Sequence, residues 1–524
     1  MRLQKSPEFA AFLILASAAL AGIEILFLGS PGLQADEVLF VLPYVPGAHT
    51  LYSWSAGHIQ IPVMLMDYVG AVKSWLYWPI FKLWHPGIWS IRLPGCAFSI
   101  ATLILFAVLV RRTAGWRVAT AAAALLATDA SFIFTNVFDW GPVALLLLGA
   151  LACLNLFQLF FATGRIWYAA VGSFVAGVAL WYKAIFLFPL VGTCFAAFLV
   201  WRRELKPRLS AKIVLAALAS FFLGALPLLL FNLERPGATF AASRSIDQGL
   251  LAEKIVMLER TLDGRAFEHY LFRSFPGEKI ALAGASLPDL VMSWYRTSRL
   301  APGSGMLFAL CASLPALIFL RRTSVYRTLL FVWFAFLFSL GLMLIFRDAG
   351  AGPHHMVLLF PAPHFIVAAT IVAIGDAHIR AGRIANVCLV LILISNAVLI
   401  GRYFEAARHN GFAIYWTNGL SDLARVLKAQ EMPIAFLDWG MRDPAEIASG
   451  NSLRVIPASS EPRPGVLYVR HCTGYVIQGG ESERFDRRVN AAQLVPRAYA
   501  TVADSLGNPV FCLFRLDEGR GNAR

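Results

Sequence analysis

Two adjacent carboxylates, Asp36 and Glu37 in "LQADEVLFVLPY", stand a few residues beyond an apolar run that should cross a membrane. One acid of such a pair can accept a proton from an attacking hydroxyl, or orient it, while its neighbour holds a metal ion, a base or the loop itself. The same residues also suit a solvated loop start or the cap of a short helix. Lys73 in "GAVKSWLYWPIF" and Lys183 in "GVALWYKAIFLFP" offer ammonium groups that would offset charge developing on a departing phosphate. The alternative for both is a lysine snorkelling from an apolar surface. Asp139 in "TNVFDWGPVALLLL" fits a site or the start of a helix three residues before Pro142. The adjacent His354 and His355 in "AGPHHMVLLFPAPH" can bind a metal or a phosphate, or form an interfacial pair with no ligand.

The elements that must position these residues are apolar. The chain has 524 residues, of which 58% are hydrophobic and 15% charged, and a mean hydropathy of +0.65. That excludes a single water-soluble core and predicts a polytopic α-helical membrane protein. Stretches of about 17 to 25 apolar residues suffice to cross the hydrocarbon layer. Eleven are expected, at residues 8-29, 88-110, 118-134, 142-161, 167-182, 184-201, 212-232, 305-320, 328-346, 356-374 and 384-401. The first carries Glu24 and runs on into further spans, so we read it as a retained helix rather than a cleaved signal peptide.

The net charge of +14 raises the question of nucleic acid, but its distribution answers otherwise. "RRTAGWR" (111-117), "RRELKPR" (202-208), "RRTSVYR" (321-327) and "HIRAGR" (378-383), with Arg2 and Lys5, fall on one side of the eleven spans. This is the positive-inside pattern, and it makes that side cytoplasmic. Segments 30-87, 233-304 and 402-524 then lie outside, and all seven candidate residues fall at the outer interface.

Residues 1-401 therefore read as a transmembrane domain and 402-524 as a soluble α/β domain. In the latter, "SDLARVLKAQ" has the pattern of a helix, "PIAFLDW" and "GVLYVRH" of strands, and "RAYATVADSLGNPVFCLFRL" of a hairpin. It has no Walker loop, Rossmann fingerprint, CxxC pair or HExxH motif, and is assigned no chemistry. Cys472 and Cys512 can pair there in an oxidising compartment. Within 30-87, Tyr68, Trp75, Tyr77, Trp78 and Trp84 surround Lys73 in what reads as a helix lying in the headgroup layer. The basic and aromatic loop at 233-304 suits a sugar, an anionic lipid head or the interface itself.

The order of these features resembles the GT-C superfamily of membrane glycosyltransferases, and within it the protein O-mannosyltransferase and aminoarabinose transferase branch. The resemblance covers residues 8 to 401. Asp36 with Glu37 match an acidic motif in the first outer loop, Lys73 a phosphate-binding lysine on an interfacial helix, and Asp139 the acid opening the fourth span. Lys183 matches the "G…K" stretch, and His354 with His355 a basic motif before a Pro-rich late helix. The chain departs from the aminoarabinose transferases in having "AVK" where an acid precedes the lysine, and His-His where Arg-Tyr is common.

The resemblance implies transfer of a sugar from a polyprenyl-phosphate donor to a lipid, glycan or protein acceptor at the outer face of the inner membrane. The N-terminus would be cytoplasmic and the C-terminal domain periplasmic. Asp36 would act as base, with Glu37 or Asp139 placing the acceptor or a divalent metal cation. Lys73, Lys183, His354 and His355 would bind the donor phosphate. A transporter or flippase of a lipid-linked or anionic solute is the competing expectation. It calls for ionisable residues near the midplane and an inverted repeat. Glu24 is the nearest approach to the first.

Overall fold

In the computed structural model, residues 7–45, 50–57, 59–240, 250–272, 303–347, 349–409, 411–472 and 481–518 are described. Arg2, Lys5 and much of the loop at 233-304 lie outside these residues. Seven helices are long and apolar enough to cross a membrane. They are α1 (Pro7–Leu28), α4 (Ile88–Ala114), α7 (Ala144–Thr163), α9 (Leu187–Leu205, within a helical run from 184 to 208), α10 (Ala211–Glu234), α14 (Tyr326–Ile345) and α17 (Ile379–His409).

The count rises to nine if two bent pairs each make one span. The first is α5 (Trp116–Ala127) with α6 (Ala130–Phe138), bent by 60°. The second is α15 (Pro353–Met356) and the short turn after it with α16 (Ala362–Ala377), bent by 44°. The other two expected spans are shorter apolar helices, α8 (Ile166–Tyr182) and α13 (Met306–Ala316), so length and composition do not support eleven. The physical reasons are local. Asp129 accepts a hydrogen bond from the Phe132 amide (2.9 Å) and starts α6 as a new helix inside the expected third span. α13 gives way to turns just beyond Pro315.

The segment at 30-87 has more structure than the expected interfacial helices. α2 (Ala35–Val38) and a 3₁₀ turn over Leu39–Tyr44 lead into three short strands, β1 (Tyr52–Ala56), β2 (Ile59–Met66) and β3 (Val69–Gly70), paired antiparallel in that order. α3 (Val72–Leu83) follows and exposes Trp75 and Trp78, as a helix in the headgroup layer should. Strand β3 docks on the end of α8, where the Ala184 amide donates to the Tyr68 carbonyl (3.0 Å).

Beyond α17, the C-terminal unit carries the expected helix as α18 (Leu420–Lys428). A mixed four-stranded sheet has the order β4 (Ile434–Phe436), β5 (Leu467–His471), β7 (Pro509–Glu518), β6 (Leu494–Ala503). β4 runs parallel to β5, and β6 and β7 form the expected hairpin. Helices α19 (Arg442–Ala448) and α20 (Glu481–Ala491) complete it. Cys472 and Cys512 are joined in a disulfide. Leu423, Leu427, Phe436 and Phe511 of this unit share one buried apolar cluster with Val38, Phe40, Tyr77 and Ile91. The C-terminal unit therefore packs directly over α2 and α3.

Candidate active site

The tandem acids separate in the fold. Gln34 caps α2, accepting from the Asp36 amide (2.6 Å), while the Glu37 carboxylate accepts from the Gln34 amide (2.9 Å). That reciprocal cap turns Glu37 inward, where it is 1% exposed. Its two oxygens meet the Arg92 guanidinium at 2.6 and 2.9 Å. Arg92 also donates to the carbonyls of Leu28, Pro31 and Gly32, each at 2.9 Å. A buried guanidinium with all these donors satisfied is an anchor, and it fixes the turn that presents Asp36. Asp36 is half-buried, with the Lys183 charge and the Trp140 side chain as its polar neighbours. Burial raises its carboxyl above the ordinary range against the opposing pull of Lys183.

Lys73 is not a snorkelling lysine. It is 1% exposed, ion-paired with Asp139, and its ammonium lies 3.7 Å from the Phe40 ring centre. Asp139 does two jobs at once. Its Oδ1 accepts from the amides of Val143 (3.0 Å) and Ala144 (2.9 Å) and so opens α7, while its Oδ2 takes Lys73. Lys183, 2% exposed at the C-terminal end of α8, donates to the Gly141 carbonyl. Burial lowers its ammonium to about 8, with Asp36 and Asp139 pulling the other way.

The residues converge on Trp140 and Gly141. The Trp140 ring lies 4.9 Å from His354, 4.8 Å from Tyr270 and 6.0 Å from Trp416, centre to centre. His354 lies 4.2 Å from His355, and the Nδ1 atoms of both rings are buried without a hydrogen-bond partner among the described residues. Of the seven expected residues, Asp36, Lys183, Asp139, Lys73 and His354 thus gather around one turn. His355 lies one ring further out, and Glu37 sits apart in its clasp with Arg92. Beyond the histidines is a cavity of about 240 Å³ lined by Lys254, Arg260, Tyr270 and Ala351. The Lys254 ammonium already donates to the Met343 carbonyl (3.1 Å).

Gly141 is required twice over. Its φ is +66°, and a Cβ there would come within 2.2 Å of the His354 ring. Gly141→Ala is expected to push His354 off Trp140 and to reduce activity by at least tenfold while the protein still folds. Comparing turnover and thermal unfolding of the purified variant checks this.

The carboxylates considered for a divalent cation do not fit one in this arrangement. Glu37 is held by Arg92 and the Gln34 amide, and Asp139 by two amides and Lys73, which leaves Asp36 alone. Among the described residues no group of three His, Cys, Asp or Glu side chains could hold a metal ion. Two contributors were not anticipated. Arg92 is hidden one turn into an apolar span, where an ionisable residue is itself a signal. Trp140 reads in sequence as one more interfacial aromatic.

No family model matches the sequence, and no curated protein does. Solved structures do match. ArnT from Cupriavidus metallidurans bound to undecaprenyl phosphate superposes with a TM-score of 0.56 at 11% identity, over 97% of this chain and 98% of that one. The Archaeoglobus fulgidus oligosaccharyltransferase tethered with an acceptor peptide gives 0.53 at 12% identity, over 98% of this chain and 74% of that one. The arabinofuranosyltransferase AftD from Mycobacteria gives 0.50 at 15%, over 98% of this chain but 40% of its own. The chain has the GT-C fold of membrane glycosyltransferases. The likeness to the ArnT structure extends along nearly the whole length of both chains.

Proposed function

We propose that the chain is a membrane glycosyltransferase that moves a sugar from a polyprenyl-phosphate donor to a hydroxyl of a lipid, glycan or protein acceptor. We place the reaction at the outer face of the inner membrane, with residues 402-524 periplasmic and the N-terminus cytoplasmic. One observation carries this reading: the carboxylate of Asp36, which has no ion pair among the described residues, shares its surroundings with the buried ammonium of Lys183. The GT-C fold supports it.

Asp36 takes the proton of the acceptor hydroxyl. The acceptor oxygen bonds to the anomeric carbon, and the bond from that carbon to the phosphate oxygen breaks, its electron pair leaving with the polyprenyl phosphate. Direct attack inverts the anomeric centre. Lys183 offsets the charge on the leaving phosphate, aided by Arg260 from the cavity beyond the histidines. Lys73 reaches phosphate only by exchanging Asp139 for it, so its first role is to hold α3 against α7.

The test is transfer itself. Reconstituted protein supplied with radiolabelled polyprenyl-phosphate sugars and mixed acceptors should move label to an acceptor. Donor binding without transfer to any acceptor would sink the proposal in favour of lipid flipping. A pH series probes Lys183. Its ammonium is the form that holds phosphate, so affinity for undecaprenyl phosphate is expected to be nearly full about one unit below pH 8, halved near it and down about tenfold one unit above it. Lys183→Arg should flatten that fall. An equally steep loss in the arginine variant would assign the titration elsewhere.

A further inference from the structure

A cleft of about 500 Å³ opens between the start of α4 and the C-terminal unit. Gly32, His85 and Trp89 form one wall, and Ser421, Lys428 and Ser449 the other. The Gly32 backbone, whose carbonyl is held by Arg92 at 2.9 Å, stands between it and the Arg92 clasp. The cleft is therefore separate from the site described above.

Two properties define its occupant. The first is depth. Trp89 lies in the first turn of the 27-residue span α4 and is 50% exposed, and Trp84 and Leu83 are exposed beside it. Exposed tryptophans at a span end mark the headgroup layer. Below Trp89, Leu93 and Ile104 continue an exposed apolar face of α4. The second property is charge. Among the described residues, Lys428 and His85 are the titratable ones lining the cleft, and no acid lines it. Lys428 has no ion pair among the described residues, whereas Asp422 on the same helix is paired with Arg425 at 2.8 Å. Three residues before His85 in the chain, Lys82 lies over the Trp78 ring at 4.2 Å.

We propose that this cleft binds the phosphate headgroup of an anionic membrane phospholipid, with the acyl chains lying along the exposed face of α4. Lys428 supplies the charge, Ser421 supplies a hydroxyl donor, and Trp89 marks where headgroup gives way to chain. A lipid held there ties the C-terminal unit to the membrane at the point where that unit covers α2. The proposal does not depend on the transfer chemistry.

Native mass spectrometry of the full chain released from nanodiscs tests it. Wild type from phosphatidylglycerol discs is expected to retain one more lipid than wild type from phosphatidylcholine discs. Lys428→Glu, a change at an exposed side chain, should reduce that retention at least about tenfold. Asp36→Asn should retain the lipid as wild type does. Equal retention by wild type and Lys428→Glu would overturn the assignment, as would equal retention of phosphatidylcholine. Displacement of the lipid by millimolar inorganic phosphate would also overturn it, making the cleft a site for a soluble anion.

Discussion

Asp36→Asn is expected to reduce sugar transfer by about 10²- to 10⁴-fold, the range that a positioned general base contributes. The amide keeps the size of the side chain but cannot take up the acceptor proton. The α2 cap is untouched because it uses the Asp36 backbone amide and not its carboxylate. Binding of undecaprenyl phosphate should therefore survive, since Lys183 and Arg260 remain. The pH profile adds a second reading. Burial raises the Asp36 carboxyl, so wild-type turnover should fall as acid protonates it, starting at a higher pH than an ordinary aspartate would give. A folded Asp36→Asn protein with transfer near wild type would remove Asp36 from the role of base.

Arg92→Ala should show its largest effect in stability. It strands the Glu37 carboxylate at 1% exposure and leaves the carbonyls of Leu28, Pro31 and Gly32 without the donor they share. Removing one partner of a buried ion pair costs about 3–5 kcal/mol, because the remaining charge is uncompensated. Thermal unfolding in detergent should show a clear drop, and activity should fall with it as α2 loses its anchor. Glu37→Gln with Arg92 kept is expected to be milder, since the amide oxygen still accepts from the guanidinium. Equal unfolding temperatures for wild type and Arg92→Ala would show that the clasp does not hold the turn.

The residues legible in the sequence were those whose type conflicts with their surroundings. Asp36, Lys73, Asp139, Lys183 and His354 stand out because an ionisable group at the end of an apolar run needs a reason to be there. The pairings among them were not legible. Lys73 and Asp139 are 66 residues apart and Glu37 and Arg92 are 55 apart, and nothing local marks either pair. The reading of Lys73 as a snorkelling side chain failed because the aromatic face of α3 points outward while the lysine points in. The small sheet was hidden by composition: β2 reads "IQIPVMLM", with a proline and no clean alternation. The C-terminal hairpin was plain because its turn residues separate two strands of ten residues each. Length and composition alone stop short of the expected count where a side chain caps an internal helix start, as at Asp129.

The apolar cluster that joins Val38, Phe40 and Tyr77 to Leu423, Phe436 and Phe511 has a consequence for biosynthesis. Chains are made from the N-terminus, and early segments fold before late ones exist. Here the turn bearing Asp36 leaves the ribosome among the first fifty residues, yet the surface that buries its underside includes residues beyond 500. The membrane helices can therefore insert and pack while α2 still lacks its cover. The site is finished only when the last strands close over it, so a nascent or truncated chain holds every candidate side chain except the cover that fixes them in place.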